Sequence, residues 1–115
     1  MPWRDDFIIP LEPISDPEGE RIRVRLNILR GVVVDFVVQY ETPVVEQTDD
    51  HFVVVRYDAS HQRAHRDLLD RRGRSIRKTW LAEHLTFSEA VSLAIAEIKQ
   101  NWRRYRQDFF LGSQE

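Results

Sequence analysis

The chain of 115 residues contains no cysteine, which excludes disulfide bonds and thiolate metal sites. It has four glycines and no glycine-rich loop of the kind that holds nucleotide phosphates. No apolar run approaches the ~18 residues of a membrane span, and the N-terminus lacks the basic-then-apolar order of a signal peptide. With 42% hydrophobic and 31% charged residues, the composition indicates one soluble globular domain over residues 1–115. We therefore expect a cytoplasmic protein with no membrane partner.

The formal net charge of −2 conceals an uneven distribution of charge along the chain. Residues 1–58 carry 6 basic and 12 acidic side chains, whereas residues 59–115 carry 11 basic and 7 acidic ones. The segment 63–78 alone holds seven basic residues against two acidic ones. Such a segment fits either contact with nucleic-acid phosphates or a solvated turn rich in arginine.

Four of the five prolines lie within residues 1–20. Because proline has no backbone N–H and restricts the residue before it, we expect an extended or irregular N-terminal arm there. Apolar side chains should attach this arm to the core, namely Phe7, Ile8, Ile9 and Leu11.

The chain from residue 21 to residue 81 has the pattern of β-strands. Residues 21–29 alternate strictly between polar and apolar side chains, which predicts a strand with one buried face. Arg30-Gly31 marks a tight turn, and the apolar run 52–55 indicates a central strand. The predicted strands are 21–29, 32–41, 51–58, 63–69 and 75–81.

Residues 59–69 fit two different structures. A hairpin loop followed by a returning strand is favoured, because a helix here would be short and weakly apolar. The helical alternative depends on residues that fall near i, i+4, i+7 and i+8, namely His61, His65, Leu68 and Leu69.

The C-terminal part of the chain predicts a helix over residues 86–108. Thr86 and Glu89 form a capping box, and apolar residues follow at helical spacing for about five turns. A lone sheet needs a partner layer, so this helix should pack on one face of it. The fold class is thus predicted as α+β, a single antiparallel meander of four to five strands with one long C-terminal helix. The sheet face or edge left exposed also predicts a homodimer.

The segment from Arg56 to Asp67 concentrates the chemistry of the chain, with two histidines, two aspartates, one tyrosine and three arginines in twelve residues. Two histidines without a fixed third ligand are a weak metal motif, so we predict no metal site and no cofactor. Cleavage of RNA without metal would use His61, His65 and Asp58 as the proton-transfer groups. The candidate binding residues are Tyr57, Arg63, Arg66, Asp67 and Arg103.

The order Arg56-Tyr57-Asp58-Ala59-Ser60-His61, followed by His65-Arg66-Asp67, resembles an Arg-Tyr-Asp-Asn-Ala-His-Gly…His motif of small prokaryotic proteins of unknown function. Residues 85–90 and 98–106 are similar to the closing helix of the same group. A looser likeness reaches the TumE-like toxins of toxin–antitoxin gene pairs. Two departures stand out: Gln62 replaces the usual glycine, and Ser60 interrupts the Asn-Ala-His order.

Three functions follow from these observations, and the least favoured is a metal-binding module in which Asp58 and Asp67 flank His61 and His65. The leading one is a non-enzymatic interaction or regulatory module that binds a protein partner or itself, as a member of a toxin–antitoxin-like gene pair. Nucleic acid is a further candidate partner through the basic segment 63–78. The alternative is a small metal-independent ribonuclease-type toxin that uses the hairpin 57–67, and the sequence does not decide whether the protein is an enzyme.

Overall fold

The computed structural model describes residues 3–11, 19–44, 50–60 and 62–112, with only the backbone at residue 60. It contains one antiparallel sheet and one long helix, as the fold class predicts. The strands are β1 (Asp5–Pro10), β2 (Arg21–Leu29), β3 (Val32–Pro43), β4 (His51–Ser60), β5 (Arg63–Leu69) and β6 (Ser75–Trp80), and the helix is α1 (Phe87–Leu111).

The six strands form a meander in which each pairs with its neighbours in sequence, in the order β1 to β6. The prediction of four to five strands was wrong, because part of the expected N-terminal arm is a strand. β1 pairs with β2 from Asp5 opposite Leu26 to Pro10 opposite Arg21. Proline at the end of an edge strand removes no ladder bond that the sheet interior needs. Pro10 is therefore compatible with its place as the last residue of β1.

The predicted hairpin at residues 59–69 is confirmed, and the helical alternative is wrong. β4 and β5 pair directly, with Val55 opposite Leu68 and Ser60 opposite Arg63. Gln62 follows β4 in the left-handed region, with φ of 68°. His61 lies outside the described residues.

The helix begins as the capping box predicts and ends three residues later than expected. The Thr86 side chain accepts a hydrogen bond from the Glu89 backbone, and the Glu89 side chain accepts one from the Thr86 backbone. Gly112 ends the helix at a φ of 72°, which glycine adopts without a Cβ penalty. In the described part of the chain, no helix is long and apolar enough to cross a membrane.

The core lies between α1 and one face of the sheet. Tyr40 packs against Trp102 with ring centroids 6.0 Å apart, and Phe36 packs against Phe87 at 5.5 Å. The buried side chains of the helix are Ala90, Ala94, Ile98, Trp102, Tyr105 and Phe109. Because side chains alternate along a strand, every second residue of β3, β4 and β5 points away from this core.

Candidate functional site

The pairing of β4 with β5 places several predicted site residues on the sheet face that the helix leaves uncovered. Asp58 lies opposite His65, and Arg56 lies opposite Asp67. Directly opposed residues of an antiparallel pair point to the same face. Tyr57, which lies between Arg56 and Asp58, bonds to the helix, so the other four residues point away from it. We call their side the helix-free face.

His65 is the centre of a compact cluster on the helix-free face. Its Nε2 atom lies 2.8 Å from Asp58 Oδ1 and 3.0 Å from Asp67 Oδ2. The His65 side chain is 1% exposed, whereas Asp67 is 11% and Asp58 24% exposed. These three residues are called the Asp58–His65–Asp67 cluster below. The predicted catalytic pair of Asp58 and His65 is therefore in contact.

The two aspartates differ in their bonding to the imidazole. The Nε2 atom of His65 forms a hydrogen bond with Asp67, and one ring nitrogen carries at most one proton. Asp58 Oδ1 is buried and has no hydrogen-bond partner among the described residues. Its 2.8 Å contact with Nε2 is therefore electrostatic in nature.

The pKa of Asp58 is raised above its ordinary value, chiefly because burial penalises the charged carboxylate. The attraction of His65 opposes this rise, and the negative charge of Asp67 adds to it. Arg56 and Lys78 also lower the pKa, but by less. Asp58 thus holds a proton more readily than an exposed aspartate does.

Side chains of β6 make the remaining contacts with the cluster. Ser75 Oγ donates to Asp67 Oδ1 at 2.7 Å, and Lys78 Nζ lies 3.8 Å from the same oxygen. The Trp80 ring packs edge-on against His65 with centroids 5.2 Å apart. Asp67 is thereby oriented so that its second oxygen points at the imidazole.

Trp80 also contacts two cations. The guanidinium carbon of Arg63 lies 5.2 Å from the ring centroid, and Lys78 Nζ lies 5.5 Å from it. Trp80 is nevertheless 44% exposed. A solvent-accessible indole with two cations beside it therefore adjoins the cluster.

Two of the predicted binding residues lie on the opposite, helix-covered face. Tyr57 Oη donates to Glu97 Oε1 at 2.5 Å, and Arg66 Nη1 donates to Tyr105 Oη at 2.9 Å. Tyr105 donates in turn to Glu97 at 2.7 Å. These residues join the sheet to the helix and do not reach the Asp58–His65–Asp67 cluster.

Arg103 is also remote from the cluster, because it lies on α1. Its guanidinium carbon lies 4.5 Å from the centroid of the Trp102 ring. The structure therefore brings together Asp58, His65, Asp67 and Arg63, and separates them from Tyr57, Arg66 and Arg103. The prediction for His61 falls outside the described residues.

The sequence alone did not reveal which residues of β6 adjoin the cluster, or which residue of α1 bonds to Tyr57. Asp67 lies opposite Lys78, and His65 opposite Trp80, so the partners of β5 follow from the register of one hairpin. The register shifts by one residue between Leu68 and Leu69, so counting outward from the turn would have indicated Arg77 and Thr79 instead. Glu97 had no such signal, since its contact depends on how the helix crosses the sheet.

The β1–β3 half of the helix-free face carries a network of paired charges. Arg21 Nε donates to Glu41 at 2.7 Å, and Arg56 Nε donates to Gln39 at 3.2 Å. Arg23 donates to Asp6 at 3.0 Å. Glu41 and Asp6 offset the charges of Arg21 and Arg23, and the neutral Gln39 accepts a hydrogen bond from Arg56.

A separate cavity of about 300 Å³ lies beside the end of the β4–β5 hairpin. Its lining residues are Val34, Asp35, Ala59, Gln62 and Phe87. It includes no member of the Asp58–His65–Asp67 cluster, so the cluster lies outside this cavity.

Comparison with curated proteins and with solved structures found no match. One family model does match, and it covers residues 1–115. Its description assigns no activity, so the likeness to TumE-like toxins stays a prediction. The chain belongs to the family described as Domain of unknown function (DUF7718).

Proposed function

We propose that this protein is a non-enzymatic interaction module that binds a single strand of nucleic acid on its helix-free face. The observation that carries the proposal is the 44% exposed ring of Trp80 with the cations of Arg63 and Lys78 beside it. Proteins bind single strands by stacking bases on aromatic rings and pairing phosphates with nearby cations. Trp80 offers the stacking surface, and Arg63 and Lys78 offer the charge.

The proposed surface is narrower than the basic segment 63–78. Arg66 is bonded to Tyr105 on the covered face, and Arg71 donates to the Phe110 carbonyl at the end of α1. Arg74 is paired with Asp70 at 2.9 Å. These contacts give three of the segment's seven cations structural roles. Of the other four, Arg63 and Lys78 lie beside Trp80, and each also lies within 4 Å of a carboxylate, Glu83 and Asp67 respectively.

The two lysines of the chain provide a matched test. Lys78→Gln should weaken binding of a short labelled single-stranded RNA in a fluorescence polarisation titration, and Lys99→Gln on the exposed side of α1 should not. Trp80→Ala should weaken binding by about 1–3 kcal/mol, the typical contribution of stacking one base. Affinity should also fall steeply with salt.

Two results would contradict this proposal. One is the absence of any polarisation change with RNA or DNA single strands at low salt. The other is binding that Lys99→Gln and Lys78→Gln weaken equally, since that would indicate attraction without a defined surface.

We further propose that the module acts as a regulatory member of a toxin–antitoxin-like gene pair and binds a protein partner there. The support is the motif alone: Arg56-Tyr57-Asp58 lies in β4, and His65-Arg66-Asp67 lies opposite in β5. Co-expression of the chain with the product of its neighbouring gene, followed by purification of the pair, tests this role. Two products that elute separately would contradict it.

A metal-independent ribonuclease-type toxin is the second candidate function, and the raised pKa of Asp58 favours it. Asp58 has a raised pKa and is the most exposed member of the cluster, so it is suited to donate a proton. His65 is buried, so in this mechanism it would position Asp58 and would not touch the substrate. Arg63 and Lys78 would hold the scissile phosphate.

Expression of the chain alone separates the two functions. A ribonuclease should arrest growth and degrade RNA, and Asp58→Asn should remove both effects. Asp6→Asn is the matched control, because Asp6 pairs with Arg23 on the same face, away from the cluster. Normal growth with intact RNA would exclude the ribonuclease, if the chain is expressed and circular dichroism of the purified protein shows that it is folded.

A homodimer is also proposed, through the tip of the β2–β3 hairpin. Three large aliphatic side chains are exposed there, namely Leu29 (62%), Val32 (61%) and Val34 (46%). An apolar tip of this kind is covered favourably by a second copy of itself.

A further inference from the structure

We propose that the Asp58–His65–Asp67 cluster binds one divalent first-row transition cation, Zn²⁺ or Mn²⁺. The inference goes beyond nucleic-acid binding and does not depend on it. Each of the three residues offers one ligand atom, and these atoms lie within 4.8 Å of one another. Two come from carboxylates and one from a buried imidazole.

The distances within the cluster fit a shared ion. Metal–ligand bonds of about 2.0–2.2 Å place neighbouring ligand atoms about 3 Å apart in octahedral geometry and about 3.4 Å apart in tetrahedral geometry. His65 Nε2 lies 2.8 Å from Asp58 Oδ1 and 3.0 Å from Asp67 Oδ2. The side chains therefore need only small shifts to admit an ion between them.

The bonding of Asp58 gives a second, independent reason. Its Oδ1 atom is buried and has no hydrogen-bond partner among the described residues, although it points at the imidazole nitrogen. A buried oxygen of this kind is costly unless a cation or a donor compensates for it. One ring nitrogen forms one hydrogen bond at a time, and Nε2 forms it with Asp67. A cation between the three atoms would compensate both carboxylates at once.

The surroundings of Asp67 resemble those of a metal-ligating carboxylate. Its Oδ1 atom is held by Ser75 and approached by Lys78, and its Oδ2 atom is left to face His65. Ligating carboxylates are commonly fixed in this way by hydrogen bonds to their second oxygen. Ser75 is therefore inferred to be a positioning residue for the ion.

The donor set selects the class of ion. One imidazole nitrogen with two carboxylate oxygens suits Zn²⁺ or Mn²⁺ better than Mg²⁺ or Ca²⁺, which prefer oxygen alone. The partly exposed side of Asp58 leaves room for water to complete the coordination. The charge of Lys78 opposes the ion, and so does the lack of a partner for His65 Nδ1 among the described residues, so we expect a weaker site than one with a fully bonded imidazole.

Calorimetric titration of the EDTA-treated protein with ZnCl₂ or MnCl₂, without nucleic acid, tests the site. We expect about one equivalent of one of these ions to bind, a higher melting temperature with that ion, and no response to MgCl₂. Asp58→Asn should weaken the affinity on the order of tenfold or more. Asp6→Asn should leave it unchanged, since Asp6 is a carboxylate of the same face that pairs with arginines.

The proposal is overturned if neither ion binds, or if Asp58→Asn binds as tightly as the unmodified protein. The second result would place the ion elsewhere, for example on an exposed histidine. If Asp58→Asn does not fold, sub-stoichiometric Mn²⁺ added to the unmodified protein decides the question by NMR. Paramagnetic broadening should centre on residues 58, 65 and 67, and broadening centred elsewhere overturns the proposal.

The outcome is separable from the proposed nucleic-acid binding. If the protein binds the ion but not RNA, the metal site is retained and the proposed interaction surface around Trp80 is refuted. If the protein binds RNA but no ion, the interaction surface is retained and the metal site is refuted.

Discussion

At the scale of single residues, all three tyrosines of the chain donate their hydroxyl groups to carboxylates. Tyr40 donates to Glu20, and both Tyr57 and Tyr105 donate to Glu97. Burial is the largest cause that raises the pKa of each, and the carboxylate partner raises it further. The pKa of Tyr105 reaches about 12. The tyrosines therefore act as neutral donors in the core.

These pKa values predict how the protein responds to alkali. An unfolded tyrosine ionises near pH 10, so the folded state binds more protons than the unfolded state above that pH. Stability should therefore be complete below about pH 10 and fall as the pH rises towards about 12. Phenolate absorbance and circular dichroism, followed together, should change in one transition above pH 10. Half-ionised tyrosines in a folded protein at pH 10 would contradict this prediction.

Glu97 is the acceptor that two of these tyrosines share, so its loss should be costly. Glu97→Ala leaves the hydroxyl groups of Tyr57 and Tyr105 without their acceptor, and each buried unpaired donor costs about 1–3 kcal/mol. We expect a fall of at least about 2 kcal/mol in the free energy of unfolding, measured with urea. Glu83→Ala is the control, because the Glu83 side chain is 81% exposed. Equal effects of the two variants would refute a structural role for Glu97.

At the scale of the elements, the β4–β5 hairpin contains one strained position. Gln62 has a φ of 68°, a conformation that costs a residue with a Cβ roughly 1 kcal/mol and costs glycine nothing. Gln62→Gly should therefore stabilise the protein by about 0.5–1 kcal/mol in urea unfolding. Gln62→Ala retains the Cβ and should not stabilise it. A loss of stability in the glycine variant would show that the glutamine side chain stabilises the loop.

The elements show what the sequence predicts and where it stops. The alternation at residues 21–29, the turn at Gly31 and the capping box of Thr86 are local signals, and each was confirmed. β1 was missed because the prolines that surround it dominate the local pattern, whereas its pairing with β2 is long-range. Strand boundaries were confirmed to within two residues, because the turn signals that set them are also local.

The candidate site follows the same division between local and long-range information. Asp58, His65 and Asp67 lie within ten residues, so one hairpin register brings them together. The same register sends Tyr57 and Arg66 to the opposite face, which the motif alone does not reveal. Lys78 and Trp80 need the register of a second hairpin, and Glu97 needs the packing of the helix.

At the scale of the whole molecule, one helix and one sheet leave two kinds of surface uncovered. The helix-free face is polar, and Arg21 and Arg23 are paired there with Glu41 and Asp6. The tip of the β2–β3 hairpin is apolar and extends beyond the region that the helix covers, with Leu29 and Val32 both more than 60% exposed. Water contacts the polar face at little cost, whereas the apolar tip gains from burial.

The tip therefore predicts self-association of the whole molecule. Light scattering after size exclusion should give twice the 13.7 kDa of one chain. Val32→Glu places a charge in the centre of the tip and should shift the mass to that of one chain, because an unpaired carboxylate resists burial. Leu111→Glu is the matched control, since Leu111 is 71% exposed at the far end of α1. A mass of one chain for the unmodified protein at micromolar concentration, or a dimer that Val32→Glu leaves intact, would exclude this interface.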